Sequence, residues 1–277
     1  MNINILTILP LLSLLTLSAQ SKVLVKDGDT VAFMGDSITQ QGASSPSGYV
    51  SLVESGLAAN GIGIKRINAG ISGHKSNQML GRLQKQVLDK KADWMTLSCG
   101  VNDVWHGAKG VTLDDYKKNI TAIVDQCEQA GVKVMILTST PIKEEENELN
   151  TKLADYNKFL RELAKEKSLP LADLNEMMWQ ELKNPTLPRA GKHHLTSDGV
   201  HMNPFGDTIM AEGVLRAFGL NDAQITKAKS AWQDVTAKVR FTIQIPLSTY
   251  LLLAKIAEQE KSTLDETMSK IVHNATK

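Results

Sequence analysis

Cysteine is nearly absent. Two residues, Cys99 and Cys127, in a chain of 277 are too few for a disulfide framework or a thiolate zinc site. Aromatic residues make up only 5%, so no wide apolar groove for long acyl chains is advertised. An excess of one charge is missing too: 31 lysines and arginines against 30 aspartates and glutamates leave a formal charge of +1. That balance excludes a nucleic-acid binder held by a basic face, and an acidic disordered tail. No long hydrophobic run follows the first twenty residues, which rules out a multi-span membrane protein. What remains is 42% hydrophobic and 22% charged, the composition of a globular chain able to bury a core.

The amino-terminal segment stands apart. Met1 to Ala19 carries no charged side chain, and Ile5 to Leu17 is apolar except for Thr7, Pro10, Ser13 and Thr16. It is too short to span a bilayer, and Ser18-Ala19 supplies small residues for cleavage. We expect residues 1–19 to be a signal peptide processed near Ala19 or Gln20, placing the mature chain outside the cytoplasm, secreted or periplasmic, with no stable membrane span. Cys99 and Cys127 could pair in an oxidising compartment. Cys127, however, shares an apolar helical stripe with Tyr116, Ile120 and Ile123, which favours two buried free thiols.

Strand and helix patterns then alternate. Val31 to Met34, Trp94 to Ser98 and Val132 to Thr138 are short apolar runs bounded by turn residues, with weaker runs at Ile64 to Asn68 and Leu171 to Leu174. Thr112 can cap a helix with Asp115 three residues on, and Gly131 fits a left-handed C-cap. Leu149, Leu153, Tyr156, Leu160 and Leu163 mark another helix. Short apolar strands alternating with helices imply a parallel sheet covered on both faces, an α/β fold. Ligands of such sheets bind at the carboxyl ends of the strands, in the loops after Met34, Asn68, Ser98 and Thr138.

Three of those four loops carry polar residues suited to chemistry. Gly35-Asp36-Ser37-Ile38-Thr39 puts a serine at a strand-to-helix turn, where helix amides can hold an oxyanion. A serine hydroxyl needs a base, and the base needs an orienting carboxylate. Among six histidines, His201 has the best surroundings. In Ser197-Asp198-Gly199-Val200-His201-Met202-Asn203-Pro204, a turn at Gly199 can fold Asp198 onto one ring nitrogen and leave the other free. Asn203-Pro204 then opens a helix from Phe205 to Phe218. Taken alone, the octapeptide reads equally as a loop histidine beside a capping aspartate. Asn68-Ala69-Gly70-Ile71-Ser72-Gly73 adds flexible backbone at the same sheet edge, and Gly100-Val101-Asn102-Asp103 adds an amide donor. Each is weak by itself; order, spacing and strand context agree for all four.

These four segments resemble the sequence blocks of the SGNH hydrolase superfamily, the GDSL esterases and lipases. The likeness runs over about residues 24 to 220. It implies Ser37 as nucleophile, His201 as general base and then acid, and Asp198 as its orienting partner. The oxyanion hole would comprise the Ser37 and Gly73 amides and the Asn102 side chain. The implied fold is a flavodoxin-like three-layer α/β/α sandwich around a five-stranded parallel sheet. No metal or organic cofactor is implied. Isoleucine at position 38 stands where the family more often has leucine, which touches nothing catalytic. Asp36, His74, Asp103, Trp105 and His106 flank the blocks and are expected to line the substrate site. The indole and imidazoles suit a sugar ring, although Trp105 reads equally as cover for its loop. Exported proteins of this layout resemble carbohydrate esterases that remove acetyl groups from polysaccharides. The expected activity is therefore hydrolysis of short-acyl esters on a carbohydrate through an acyl-enzyme, with rate lost in mildly acidic buffer as the base protonates. The alternatives are a lysophospholipase- or thioesterase-type lipolytic hydrolase, and a non-catalytic glycan-binding protein using the same cleft.

Other features read blandly. His193-His194 lies in a loop and is taken as rim or surface rather than metal ligand. Glu144-Glu145-Glu146 is taken as a solvated loop or helix start. Asn119 and Asn274 match glycosylation acceptors, but Asn119 falls within an expected helix. The catalytic domain is expected over residues 20–220, followed by an extension over 221–277. That tail reads as a helix from Asn221 to Trp232, a strand from Val239 to Ile245, and helices over Thr249 to Glu260 and Leu264 to His273. The strand, helix, turn, helix order resembles a ribbon-helix-helix module in outline. Without a basic strand face no nucleic-acid partner is expected; an exposed strand edge must pair somewhere, on the catalytic domain or in a homodimer.

Overall fold

The computed structural model describes residues 22–187, 192–237 and 245–276. The expected signal segment, and all of the expected tail strand but Ile245, lie outside the described residues. The chain divides into two compact units, Met1–Lys238 and Val239–Lys277.

The first unit is built on β1 (Thr30–Gly35), β2 (Lys65–Gly70), β3 (Trp94–Ser98), β4 (Lys133–Leu137) and β5 (Leu171–Ala172). They form one parallel sheet in the order β2-β1-β3-β4-β5. Central β3 is buried at every position, which is why it reads as a continuous apolar run rather than an alternating one. Edge strand β2 leaves Lys65, Arg66 and Asn68 exposed, and β5 is two residues long. Both gave weak sequence signals for that reason.

The helices of this unit are α1 (Ser37–Ser44), α2 (Tyr49–Ala59), α3 (Ser76–Leu83), α4 (Val101–Trp105), α5 (Leu113–Gln129), α6 (Glu148–Glu166), α7 (Leu174–Lys183), α8 (Pro204–Ala217) and α9 (Asp222–Trp232). Their starts follow local chemistry. Thr112 Oγ1 accepts Asp115 N–H at 3.2 Å, capping α5, and Gly131 takes a left-handed φ of 76° beyond its end. Asn203 Oδ1 accepts the N–H groups of Phe205 and Gly206 at 2.9 and 3.0 Å, capping α8 with Pro204 in its first turn. The core closes through edge-on aromatic pairs, Phe33–Tyr49 at 6.5 Å and Trp94–Phe218 at 5.4 Å between ring centres. Cys99 and Cys127 are free and buried.

The first unit extends beyond the boundary expected at Leu220. Helix α9 buries Ile225, Ala228 and Trp232 and packs on α2, where Trp232 Nε1 donates to the Leu52 carbonyl at 3.0 Å. Its apolar stripe needs the α2 surface for cover, so it belongs with the sheet rather than with the tail.

In the second unit, α10 (Leu247–Glu260) and α11 (Leu264–Ala275) pack together. Lys261 turns the chain in the left-handed region at φ 52°, and Thr263 and Glu266 form a capping box. Leu247, Tyr250, Leu251, Leu252, Ile271 and Val272 are exposed. No helix among the described residues is long and apolar enough to cross a membrane.

Candidate active site

The strand order reverses between β1 and β3, and a parallel sheet leaves a crevice at the carboxyl ends of such a pair. The loops after β1 and β3 therefore face one another across it. Asp36 alone separates β1 from α1, so Ser37 is the first residue of its helix. Gly35 permits this tight junction: a side chain there would collide with Thr39.

The loop before α8 reaches this crevice from far along the chain. His201 Nε2 lies 2.9 Å from Ser37 Oγ, and His201 Nδ1 lies 2.7 Å from Asp198 Oδ2. A carboxylate can only accept, so Nδ1 carries the hydrogen; in the neutral imidazole Nε2 is then the acceptor for the serine hydroxyl. Asp198 Oδ1 also accepts the backbone N–H groups of His201 and Val200 at 2.8 and 3.0 Å. Burial works to raise the Asp198 carboxyl, but the His201 ring and these two amides outweigh it and hold it below the ordinary carboxylate range. Ser37, His201 and Asp198 thus form one line of hydrogen bonds.

The groups expected to hold an oxyanion carry N–H donors. The Ser37 and Gly73 N–H groups have no acceptor among the described residues. Gly73 is exposed, with φ 75° in the left-handed region. Asn102 Nδ2 donates to Asp36 Oδ2 at 3.0 Å, and its other contact, the His74 carbonyl at 3.4 Å, is long. The loop carrying Gly73 is fixed by Gln40, whose Oε1 accepts Ser72 N–H at 2.9 Å and Ser72 Oγ–H at 2.6 Å.

Two side chains expected to touch substrate face inward instead. Asp36 is buried; its Oδ1 caps α1 through Ile38 N–H at 2.9 Å while Oδ2 holds Asn102. Burial pushes its carboxyl up to about 6, against the pull of the Ile38 amide and of His201. Asp103 is fully buried, and its Oδ1 accepts both the N–H and the hydroxyl of Ser76 at 3.0 and 2.6 Å. It ties α4 to the start of α3, and burial raises it despite those bonds. Each carboxylate sits one residue from a candidate catalytic group, Asp36 as the cap of α1 and Asp103 within α4, and the local backbone directs it to the core. Trp105 and His106 are exposed, with His106 Nε2 at 3.2 Å from Asn102 Oδ1 and Lys143 Nζ at 6.0 Å from the Trp105 ring. His74 is partly exposed, and its Nδ1 accepts Arg82 Nε–H at 3.1 Å. Burial, then the neighbouring guanidinium, lowers its basicity.

Arg82 was not singled out by any motif. Its guanidinium donates to the carbonyls of Gly35 and Ala69 at 2.7 and 2.6 Å, besides His74 and Gln86, and so braces the ends of β1 and β2 together. Burial lowers it to about 10. Of the histidine pair, His194 is buried and its Nε2 lies 2.9 Å from Glu181 Oε1. Among the described residues no group of three potential metal ligands is gathered.

A five-stranded parallel sheet with a serine and an imidazole at its switch point suits an ester hydrolase of the α/β sandwich type. The model of the GDSL-like lipase/acylhydrolase family matches residues 33–209, and the chain belongs to that family. It is similar to an acetylxylan esterase of Geobacillus stearothermophilus, 27% identical over 162 residues, covering 51% of this chain and 74% of the relative. It is similar also to the esterase TesA of Pseudomonas aeruginosa, 29% identical over 109 residues, covering 39% and 53%. Among solved structures, the Geobacillus acetylxylan esterase Axe2 superposes with a TM-score of 0.64 at 27% identity, covering 72% of this chain and 97% of that one. The acetyl xylan esterase AlAXEase does so at 0.62 and 33% identity, covering 68% and 98%. The protein is a carboxylic ester hydrolase.

Proposed function

We propose that the protein removes acetyl groups from an acetylated carbohydrate, with Ser37, His201 and Asp198 as its catalytic triad. The observation that carries this reading is the unbroken line from Ser37 Oγ through the His201 ring to Asp198, at 2.9 and 2.7 Å. Ser37 Oγ attacks the ester carbonyl as His201 Nε2 takes its proton, and Asp198 stabilises the imidazolium. The carbonyl oxygen becomes an oxyanion held by the Ser37 and Gly73 N–H groups and by Asn102 Nδ2. His201 then protonates the leaving sugar oxygen, the C–O bond breaks, and the acetyl group stays on Ser37. Water, deprotonated by His201, releases acetate and restores the serine. No step calls on a metal or organic cofactor.

The choice of a carbohydrate rests on likeness to acetylxylan esterases and on the rim. Exposed Trp105 offers a face for a sugar ring, with His106 beside it in the chain and Lys143 Nζ 6.0 Å from the ring. Export through the uncharged apolar segment Met1–Ala19 is part of the same proposal and suits a polymeric substrate outside the cell. The test is acetate release from acetylated xylo-oligosaccharides against hydrolysis of octanoate and longer esters. Preference for acetate supports the reading; preference for the long esters replaces it with lipolytic hydrolysis.

A further inference from the structure

We infer that Glu144 is a positioning residue that holds the His201 loop in register with Ser37. The inference rests on the triad proposed above. Glu144 lies in the loop between β4 and α6, in an acidic run expected to be solvated. Yet Lys143 and Glu144 are consecutive non-glycine residues in the left-handed region, at φ 61° and 57°, which L-residues adopt only where surrounding contacts impose it. Two asparagines impose it here. Asn147 Nδ2 donates to the carbonyls of Ile142 and Glu145 at 2.9 Å each, and Asn150 Nδ2 donates to the same pair at 2.7 Å each.

The bend turns Glu144 onto the loop that bears the catalytic base. Its Oε2 accepts His194 N–H at 2.6 Å, and its Oε1 accepts Leu195 N–H at 2.9 Å and the Thr196 hydroxyl. One carboxylate thus collects donors from three consecutive residues. Alongside, Lys143 N–H donates to the Gly199 carbonyl at 2.7 Å. The hold passes onward: Thr196 Oγ1 accepts Gly199 N–H at 3.0 Å, Thr196 pairs with Met202 in an antiparallel bridge, and Ser197 N–H donates to the His201 carbonyl at 2.8 Å. Asp198 and His201 sit on the turn these bonds close. Glu144 therefore acts on the Ser37–His201 distance through the loop and touches no reacting atom.

The foot of the loop has separate anchors. The His194 ring is fixed by Glu181 at 2.9 Å and lies edge-on to Phe205 at 5.3 Å, while Asn203 Nδ2 donates to the His194 carbonyl at 2.9 Å. Truncating Glu144 should loosen the turn without detaching it. Small misplacements of a catalytic group cost rate, and 4-nitrophenyl acetate, which has no sugar ring, makes little use of the rim that Lys143 shares with Trp105. The loss should appear in kcat rather than KM.

The experiment uses the full chain with 4-nitrophenyl acetate, a fluorophosphonate that labels the active serine, and thermal melting. Glu144→Ala should lower kcat by about 10- to 100-fold, with KM within about twofold, and slow labelling of Ser37 by the same factor. Glu144→Gln keeps an acceptor for Leu195 and Thr196 and should recover to within about fivefold of the parent. A Glu144→Ala enzyme with parental kcat, or a loss confined to KM, would overturn the inference. So would equal losses in both variants that track a lowered melting temperature. Should Glu144→Ala fail to fold, Glu144→Gln and Thr196→Val decide: slowed labelling in Thr196→Val, with Gln close to the parent, supports the role, and parental rates in both overturn it. Ser37→Ala separates the two claims, because activity surviving that change sinks the triad itself. Parental labelling of Ser37 in Glu144→Ala sinks only the positioning role.

Discussion

The two halves of the active site are held by different means. Ser37 is held by the sheet: it follows a buried strand by one residue, and Asp36, Gln40 and Arg82 knit its surroundings to the neighbouring strand ends. His201 lies in an irregular loop, where Asp198 keeps 53% of its side chain exposed and order comes from side chains reaching across, Glu144 above all. Strand pairing is cooperative and resists single substitutions; a loop pinned by a few side-chain bonds yields when one is removed. The nucleophile half should therefore lose function only when a reacting or donating group is removed, whereas the base half should be sensitive to residues that touch no substrate.

Substitutions can sharpen or break that contrast. Ser37→Ala should have the largest effect, lowering kcat by about 10^4-fold or more with an unchanged fold, measured by acetate release and circular dichroism. Asp198→Ala should cost less than Ser37→Ala, because the other triad members still act without their orienting carboxylate. Equal losses would mean that Asp198 does more than orient. Asn102→Ala should lower kcat by about 10^2- to 10^3-fold at near-constant KM, the signature of a donor used mainly in the transition state; a pure KM effect would remove it from the oxyanion hole.

The smallest expected effect concerns stability. Asp207, at the foot of α8, accepts Tyr49 N–H at 2.8 Å, and burial, opposed only by that amide, pushes its carboxyl up to about 7. Between pH of about 4 and 7 the folded chain keeps a proton that the unfolded chain has released, so this group's contribution to stability falls as pH rises. Asp207→Asn preserves the acceptor for Tyr49 and should raise the melting temperature at pH 8 but not at pH 4, by roughly 2–4 °C per kcal/mol relieved. A gain at pH 4 as large as at pH 8 would count against it.

Much of this was legible in the chain because the chemistry is local. Val31–Met34 and Trp94–Ser98 read as buried strands, Thr112 and Asn203 as caps, and three of the four loop segments as lying at strand ends. The illegible parts depend on distant contacts. Glu144 looks like a solvated acid until residues 194–196 arrive beside it, and Arg82 acquires its role only when the ends of β1 and β2 lie side by side. Asp36 and Asp103 misled because adjacency to a reactive residue says nothing of the side on which the backbone presents the next side chain. Helix α9 misled because its partner, α2, lies far back in the chain.

The most direct test is to treat the full chain with a fluorophosphonate and locate the adduct by peptide mass spectrometry. One adduct on Ser37, formed rapidly in the parent and nearly abolished by His201→Ala, is the result expected of a serine activated by that imidazole. No adduct, an adduct elsewhere, or labelling of Ser37 indifferent to His201 would contradict the account.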